Sequence, residues 1–320
     1  MTGIHVNALN FARAETDRMF GVLLAQSGTV NTWLHNRLPT PLDNQPVIRM
    51  NRDTLYSMAV VDLRDGATVT LPDAGDRYVS AMVVNQDHYI NRVLHAPGDH
   101  ELSVDDFDSE HVVVAARILV DPADPADVAE VNALQDELRV VAGSARPFTP
   151  PDYDTASLDA TRRALLELAS GMSGFDGAFG ARSDVDPVQH LIGTAAGWGG
   201  LPSHEAIYVN VDPKLPVGEY ALTVGDVPVD GFWSISLYNA DGYFEDLGGR
   251  VTVNSITAER DASGEARVHF GGCGDGRPNC MPIGEGWNYL VRLYRPRAEI
   301  ADGTWSFPAV TGVSAGPAAP

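Results

Sequence analysis

Residues 78–90 read YVSAMVVNQDHYI, and residues 232–244 read FWSISLYNADGYF. At a constant offset of 154 residues Ser80 matches Ser234, Asn85 matches Asn239, Asp87 matches Asp241 and Tyr89 matches Tyr243, and the apolar positions keep their character. Each stretch is a strand-length apolar run closed by a polar turn cluster. The run Tyr78–Val84 is apolar toward both faces, which predicts a central strand covered on both sides. Upstream, RDTLYSMAVVDL aligns with HEAIYVNVD at an offset of 152, pairing Asp53 with Glu205, Leu55 with Ile207 and Tyr56 with Tyr208. Two blocks in the same order at nearly the same offset indicate an internal duplication. Short strands and abundant turns then predict a mainly β chain with helical segments (α+β), built as two tandem antiparallel β-sandwich, jelly-roll-like lobes.

Working outward, Leu9, Ala12, Met19, Phe20, Leu23 and Leu24 recur at helical spacing over about residues 7–26, with Arg13, Glu15, Asp17 and Arg18 between them, an amphipathic helix. Strand patterns follow at 55–63, 67–71, 78–84 and 111–120, and again at 205–211, 220–224, 232–238, 250–259, 265–270 and 287–294. Asp124 and Pro125 are a helix start, continued by a stripe of Val128, Val131, Leu134 and Leu138. Further helices are expected from about Thr155, with Leu158, Leu165, Leu168 and Ala169 inward, and after Asp186-Pro187. The resulting division is an N-terminal helix plus first lobe at 1–145, a helical, Gly-rich connecting segment at 146–202, a second lobe at 203–310 and a disordered tail at 311–320.

A hydrophobic fraction of 44% over 320 residues supports a sizeable core. The formal charge of -21, with Lys214 the single lysine, lacks the positive footprint that nucleic acid or an anionic membrane requires. No stretch approaches the roughly 20 apolar residues of a membrane span. The start MTGIHVNALNFARAETD has neither the basic beginning nor the apolar run of a secretory signal, so a cytoplasmic location is expected. In that compartment Cys273 and Cys280, both in GGCGDGRPNCMPIG, are expected as free thiols, although a disulfide across this short loop is the other reading.

The polar quartet Asn51, Arg52, Asp53 and Thr54 sits between two apolar runs, where its groups are costly to bury without partners. Asp53 and Glu205 hold equivalent positions and would form an acid/base pair if the halves brought them together; otherwise each pairs locally, with Arg52 or the Arg292, Arg295 and Arg297 cluster as partners. Asn85 and Asp87 recur as Asn239 and Asp241, which assigns them to turn capping. His88 faces Gly242 in the second copy and is a general-base candidate or a satisfied core histidine. Arg52 and Arg292 are candidate anion anchors. Tyr56, Trp198, Tyr208 and Tyr238 are candidate pocket walls, although aromatic residues in strands also build plain core. The nucleophile elbow, P-loop, HExxH and dinucleotide fingerprints are missing from the sequence.

NRDTLYSMAVVDL with LPDAGDRYVSAMVVNQDHY resembles the bacterial domain of unknown function 1254. GFWSISLYNADGYF with GWNYLVRLYRPRAEIADGTWSFPAV resembles domain of unknown function 1214, its common successor in one polypeptide. The resemblance implies a β-rich, two-lobed fold with a helical part and assigns no activity. The functional expectation is a small-molecule enzyme, an acid/base hydrolase, lyase or isomerase without organic cofactor, using Asp53, His88 and Glu205. The alternatives are a non-catalytic ligand-binding or assembly protein, and an enzyme using a divalent metal held by those three residues. A homodimer or higher homo-oligomer is expected from broad sheet faces with aromatic edges.

Overall fold

The computed structural model describes residues 3–172 and 174–313. Along the chain run α1 (Phe11–Ser27), β1 (Leu34–His35), β2 (Thr54–Asp62), β3 (Ala67–Leu71), β4 (Val79–Val84), β5 (Ile90–Leu94), β6 (Gly98–Leu102), α2 (Val104–Phe107), β7 (His111–Leu119), α3 (Pro125–Glu137) and β8 (Arg139–Ala142). They are followed by α4 (Thr155–Ala169), α5 (Pro187–Ala196), β9 (Ala206–Val211), β10 (Tyr220–Val224), β11 (Trp233–Tyr238), β12 (Thr252–Asn254), β13 (Ala266–Phe270), β14 (Cys280–Met281), β15 (Asn288–Tyr294), α6 (Ala298–Ala301) and β16 (Thr311–Gly312). The protein is mainly β, with almost entirely antiparallel sheets.

The chain forms two compact units. The first holds residues up to Arg37, Leu55–Leu119 and Ala129–Ser203; the second holds Leu38–Thr54, Val120–Val128 and the chain from His204 onward. In the first unit a sheet of order β1-β2-β7-β4-β5 and a sheet of order β6-β3-β8 contribute side chains to one apolar core, including Val61, Val83 and Val114 from one and Val69, Leu71 and Leu102 from the other. In the second, sheets of order β12-β11-β15-β9 and β14-β13-β10-β16 do the same through Trp233, Ile235 and Val291 against Val224, Val268 and Phe270. Helices α1, α4 and α5 bury a separate cluster in the first unit, with Phe11 and Ala14 against Leu158, Leu165 and Ile192.

The strand orders repeat. β2-β7-β4-β5 of the first unit has the same order as β9-β15-β11-β12 of the second, and β6-β3-β8 the same as β13-β10-β16. β4 and β11 are buried at all six positions and lie inside their sheets, as the two-sided apolar run Tyr78–Val84 predicted for β4. The turns after them share every local bond: the N–H groups of Asp87 and Tyr89 donate to Asn85 Oδ1 at 3.0 and 2.8 Å, and those of Asp241 and Tyr243 donate to Asn239 Oδ1 at 3.1 and 3.0 Å.

Several local expectations need correction. Helix α1 is not polar on its charged side: Glu15 and Asp17 are buried, Glu15 between Arg18 and Arg162, and Asp17 accepting from Gln86 Nε2 and Tyr153 Oη at 2.9 Å each. The stripe after Pro125 ends at Glu137, and Arg139–Ala142 leaves the helix to pair with β3. Of the expected strand 250–259 only Thr252–Asn254 forms, because Asn254 turns the chain by accepting from the N–H groups of Ile256 and Thr257. Thr311 and Gly312, expected in a disordered tail, instead pair with Ala221 and Tyr220; the part of that expectation concerning residues 314–320 lies outside the described residues. Cys273 and Cys280 are joined in a disulfide, not free, with Cα atoms 5.6 Å apart. The segment 38–54 and residues 120–128 join the expected lobe 203–310 in the second unit, and the connecting segment 146–202, which carries α4 and α5, belongs to the first unit. Leu168 of α4, expected inward, is exposed.

Candidate functional site

In the second unit the quartet Asn51–Thr54 is a buried polar network. Asp53 is fully buried; its Oδ1 accepts from Thr252 Oγ1 at 2.6 Å and from Asn254 Nδ2 at 3.1 Å, both on β12. Its Oδ2 faces Arg292 Nη1 of β15 at 3.8 Å. Arg292 donates to Ser236 Oγ at 2.6 Å, to Tyr238 Oη at 2.8 Å and to the backbone oxygens of Arg49 and Met50 at 3.0 and 3.1 Å. Burial opposes the guanidinium charge, but Tyr238, Tyr294 and Asp53 raise its pKa above the ordinary value, so it stays charged. Tyr238 Oη donates to Met50 O at 2.7 Å, and burial raises the pKa of its phenol. Asn51 Oδ1 accepts from Asp53 N–H at 2.8 Å while its Nδ2 donates to Tyr294 Oη at 3.0 Å. Arg52 donates to Thr40 O. These groups fasten the segment 49–54 to β11, β12 and β15.

Of the other expected residues of this unit, Glu205 is buried, and its backbone oxygen accepts from Arg295 N–H at 2.8 Å. The carboxylate of Asp53 takes Thr252, Asn254 and Arg292 as partners. Tyr208 lies on β9 and is 41% exposed.

His88, Tyr56 and Trp198 belong to the first unit. His88 is fully buried with φ at 66°. Its Nε2 accepts from Gly199 N–H at 2.9 Å, which assigns the hydrogen to Nδ1; Nδ1 donates to Thr194 Oγ1 at 2.9 Å, and that hydroxyl donates to His190 O at 2.8 Å. The ring stacks between His190 at 5.6 Å and Trp198 at 5.5 Å. Burial, then His190, pushes its pKa down to about 3. Trp198 Nε1 donates to Thr16 Oγ1 at 3.1 Å. The carboxylate of Asp87, next to His88, is held by Arg13 at 2.6 Å. Among the described residues no group of three or more His, Cys, Asp or Glu is arranged to hold a metal ion.

A further repeated feature had no signal in the aligned blocks. Arg117 of β7 lies opposite Ser80, and Arg292 of β15 lies opposite Ser234. Arg117 Nη2 donates to Gly199 O at 2.8 Å and its guanidinium sits 5.4 Å from the Tyr56 ring; Arg292 pairs in register with Tyr208, the residue equivalent to Tyr56. Each unit thus carries a Tyr–Arg–Ser row across the sheet that holds β4 or β11, and each arginine donates to backbone oxygen of a segment outside that sheet. The arginines stand 175 positions apart, outside both alignment offsets, so only the sheet register reveals the match.

The second unit also contains an open cavity of about 640 Å³. One wall is Ile207, Val209 and Val211 of β9 with Tyr289, Val291 and Leu293 of β15; the other includes Leu215, Ile300, Trp305, Phe307 and Val310. Its lining is overwhelmingly apolar, with Ser306 and the Tyr289 phenol, pushed up to about 12 by burial, as polar groups. None of the expected catalytic residues lines it. The alternation Ile207-x-Val209-x-Val211 was its sequence signal, read there as a strand.

A family model described as "Protein of unknown function (DUF1254)" matches residues 30–101, and one described as "Protein of unknown function (DUF1214)" matches residues 215–298. The chain thus matches the DUF1254 model in its N-terminal part and the DUF1214 model in its C-terminal part. The DUF1254 match begins just before β1 and the DUF1214 match covers β10 to β15. The fold is similar to the crystal structure of the VPA0106 protein from Vibrio parahaemolyticus, with a TM-score of 0.70 at 17% identity over 96% of this chain and 98% of that one. It is also similar to a putative uncharacterized protein from Burkholderia cenocepacia, with a TM-score of 0.52 at 14% identity over 94% and 87% of the two chains. No match is found among the curated proteins. At these identities the likeness concerns the fold alone.

Proposed function

We propose that this DUF1254–DUF1214 chain is a binding protein, and that its site is the apolar cavity of the second unit. The observation that carries this reading is an open, apolar-lined volume of about 640 Å³, within the roughly 300–1,000 Å³ of small-molecule sites. The ligand it suits is uncharged and apolar, because the lining offers no charged side chain to pair with an ion. Asp53, His88 and Arg292 then serve the fold: each is buried and already bonded to protein groups, leaving a substrate nothing to displace without loss. This favours the non-catalytic alternative over acid/base catalysis. Two layered-sheet lobes related by duplication provide the scaffold. The disulfide favours an oxidising compartment over the cytoplasm, and no helix among the described residues is long and apolar enough to cross a membrane.

Titration with the neutral fluorophore N-phenyl-1-naphthylamine tests this reading. Saturable binding at one site, lost in Leu215→Trp, which fills the cavity, and kept in Leu166→Trp, an exposed control on α4, is the expected result. Equal binding by both variants would overturn it.

A further inference from the structure

β9 is the outer strand of its sheet, and among the described residues no strand pairs with its far side. β2 holds the same place in the first unit, and there β1 covers it: Leu34 pairs with Met58 and His35 with Ser57. At the repeat offset, Ser57 and Met58 correspond to Val209 and Asn210. Asn36 N–H donates to Tyr56 O at 2.8 Å and Asn31 N–H to Val60 O at 2.7 Å, so Tyr56, Met58 and Val60 direct their backbone groups away from β7 toward the covering strand. By the same alternation Asn210 directs its backbone groups to the outside of β9.

The side chains of the covering segment matter as much. Trp33, beside β1, packs against the core of the first unit, His35 stacks on it at 6.4 Å, and His35 Nδ1 meets Ser57 Oγ at 2.8 Å. Val209, at the position of Ser57, lines the cavity and is 36% exposed. The first unit closes this place with an added strand and its aromatic ring, and the second leaves it as a cavity beside an open strand edge.

We propose that β9 and the cavity together bind an extended peptide of another protein, which adds an antiparallel strand to β9 and inserts a bulky apolar side chain. This rests on the cavity being the binding site. Backbone pairing would supply affinity and the cavity would select the side chain. A net charge of -21 repels acidic segments, so the peptide is neutral or basic.

The probe is a labelled peptide of this chain's own residues 31–37, NTWLHNR, which supplies the strand, the ring and a positive end. It should bind the intact protein with a 1:1 stoichiometry. Methylating the Leu34 backbone nitrogen in the peptide, or replacing Trp33 by glycine there, should weaken binding about tenfold or more. Asn210→Pro, which removes an outward N–H while leaving the β15 ladder intact, should weaken the peptide to a similar degree and leave N-phenyl-1-naphthylamine binding unchanged; unchanged dye binding also reports that the variant is folded. Dye binding without peptide binding would overturn this inference and leave the cavity reading standing, whereas failure of both would overturn the two together. Peptide binding indifferent to backbone methylation would also overturn strand addition. If the protein instead self-associates and Asn210→Pro makes it monomeric, the occupant is a second copy and the proposal of a foreign peptide falls.

Discussion

His88 holds φ at 66° at the place in the repeated turn where the second copy has Gly242 at 85°. A non-glycine residue in the left-handed region costs on the order of 1–3 kcal/mol, and it persists only where its surroundings hold it. Here they do: Gly199 N–H and Thr194 Oγ1 grip the two ring nitrogens, and His190 and Trp198 stack on the ring faces. The difference between the two copies therefore marks where α5 and the glycine-rich loop of the first unit are fastened to the turn.

The pH dependence follows from this neutral ring. An unfolded histidine binds a proton below about 6.5, whereas folded His88 does so only near 3. Between these values the unfolded state carries the extra proton, so this contribution is fully present above about pH 6.5 and is lost as pH falls, by ~1.4 kcal/mol per unit. Urea melts at pH 7, 6, 5 and 4 should show that slope, and His88→Asn, which tolerates positive φ and does not titrate, should remove it.

Gly199 is held from both sides, its N–H by His88 and its carbonyl by Arg117, at φ of 77°. An added Cβ meets Met82 Cε at an ordinary 3.7 Å, so the cost of Gly199→Ala is conformational. It should be about 1–2 kcal/mol, measured by chemical denaturation. A neutral effect would mean that the loop shifts off both partners without penalty.

Removing one side of the Asp53–Arg292 pair strands a buried charge. Asp53→Ala should destabilise the protein by roughly 3–5 kcal/mol, and Asp53→Ala with Arg292→Met by less than the sum of the two single changes. Denaturation of the four proteins of this cycle measures the coupling. Additive effects would separate the two residues energetically despite the 3.8 Å approach.

The Cys273–Cys280 bridge closes a short loop between β13 and β14. Restricting that loop in the unfolded chain is worth about 2–3 kcal/mol. Reduction, or Cys273→Ser with Cys280→Ser, should lower the unfolding free energy by that amount while leaving the far-UV circular dichroism unchanged. Mass spectrometry under non-reducing conditions should find no free thiol.

Strands were legible in the sequence because their signal is local. Ala67–Leu71 and Tyr220–Val224 form where period and flanking turns placed them, and the repeated Ser, Asn, Asp and Tyr pattern indicated a duplication, with which the strand order shared by both units agrees. Helix α1 misled, because Glu15 and Asp17 read as a polar side and are buried: their partners Arg162, Gln86 and Tyr153 lie far along the chain. Asp53 and His88 stood out as polar groups at buried strand ends, and the partners that engage them come from β12, β15 and the loop at Gly199.

By itself the sequence determined the duplication, the β-rich class and the turns after β4 and β11, since these depend on period, composition and bonds within a few residues. Tertiary structure alone decided two things: that Arg117 and Arg292 are equivalent, and that β9, among the described residues, has an uncovered edge beside an apolar cavity where β2 carries β1 and Trp33. Each depends on which strand lies next to which. That order is set by packing between segments far apart in the chain, which no local pattern encodes.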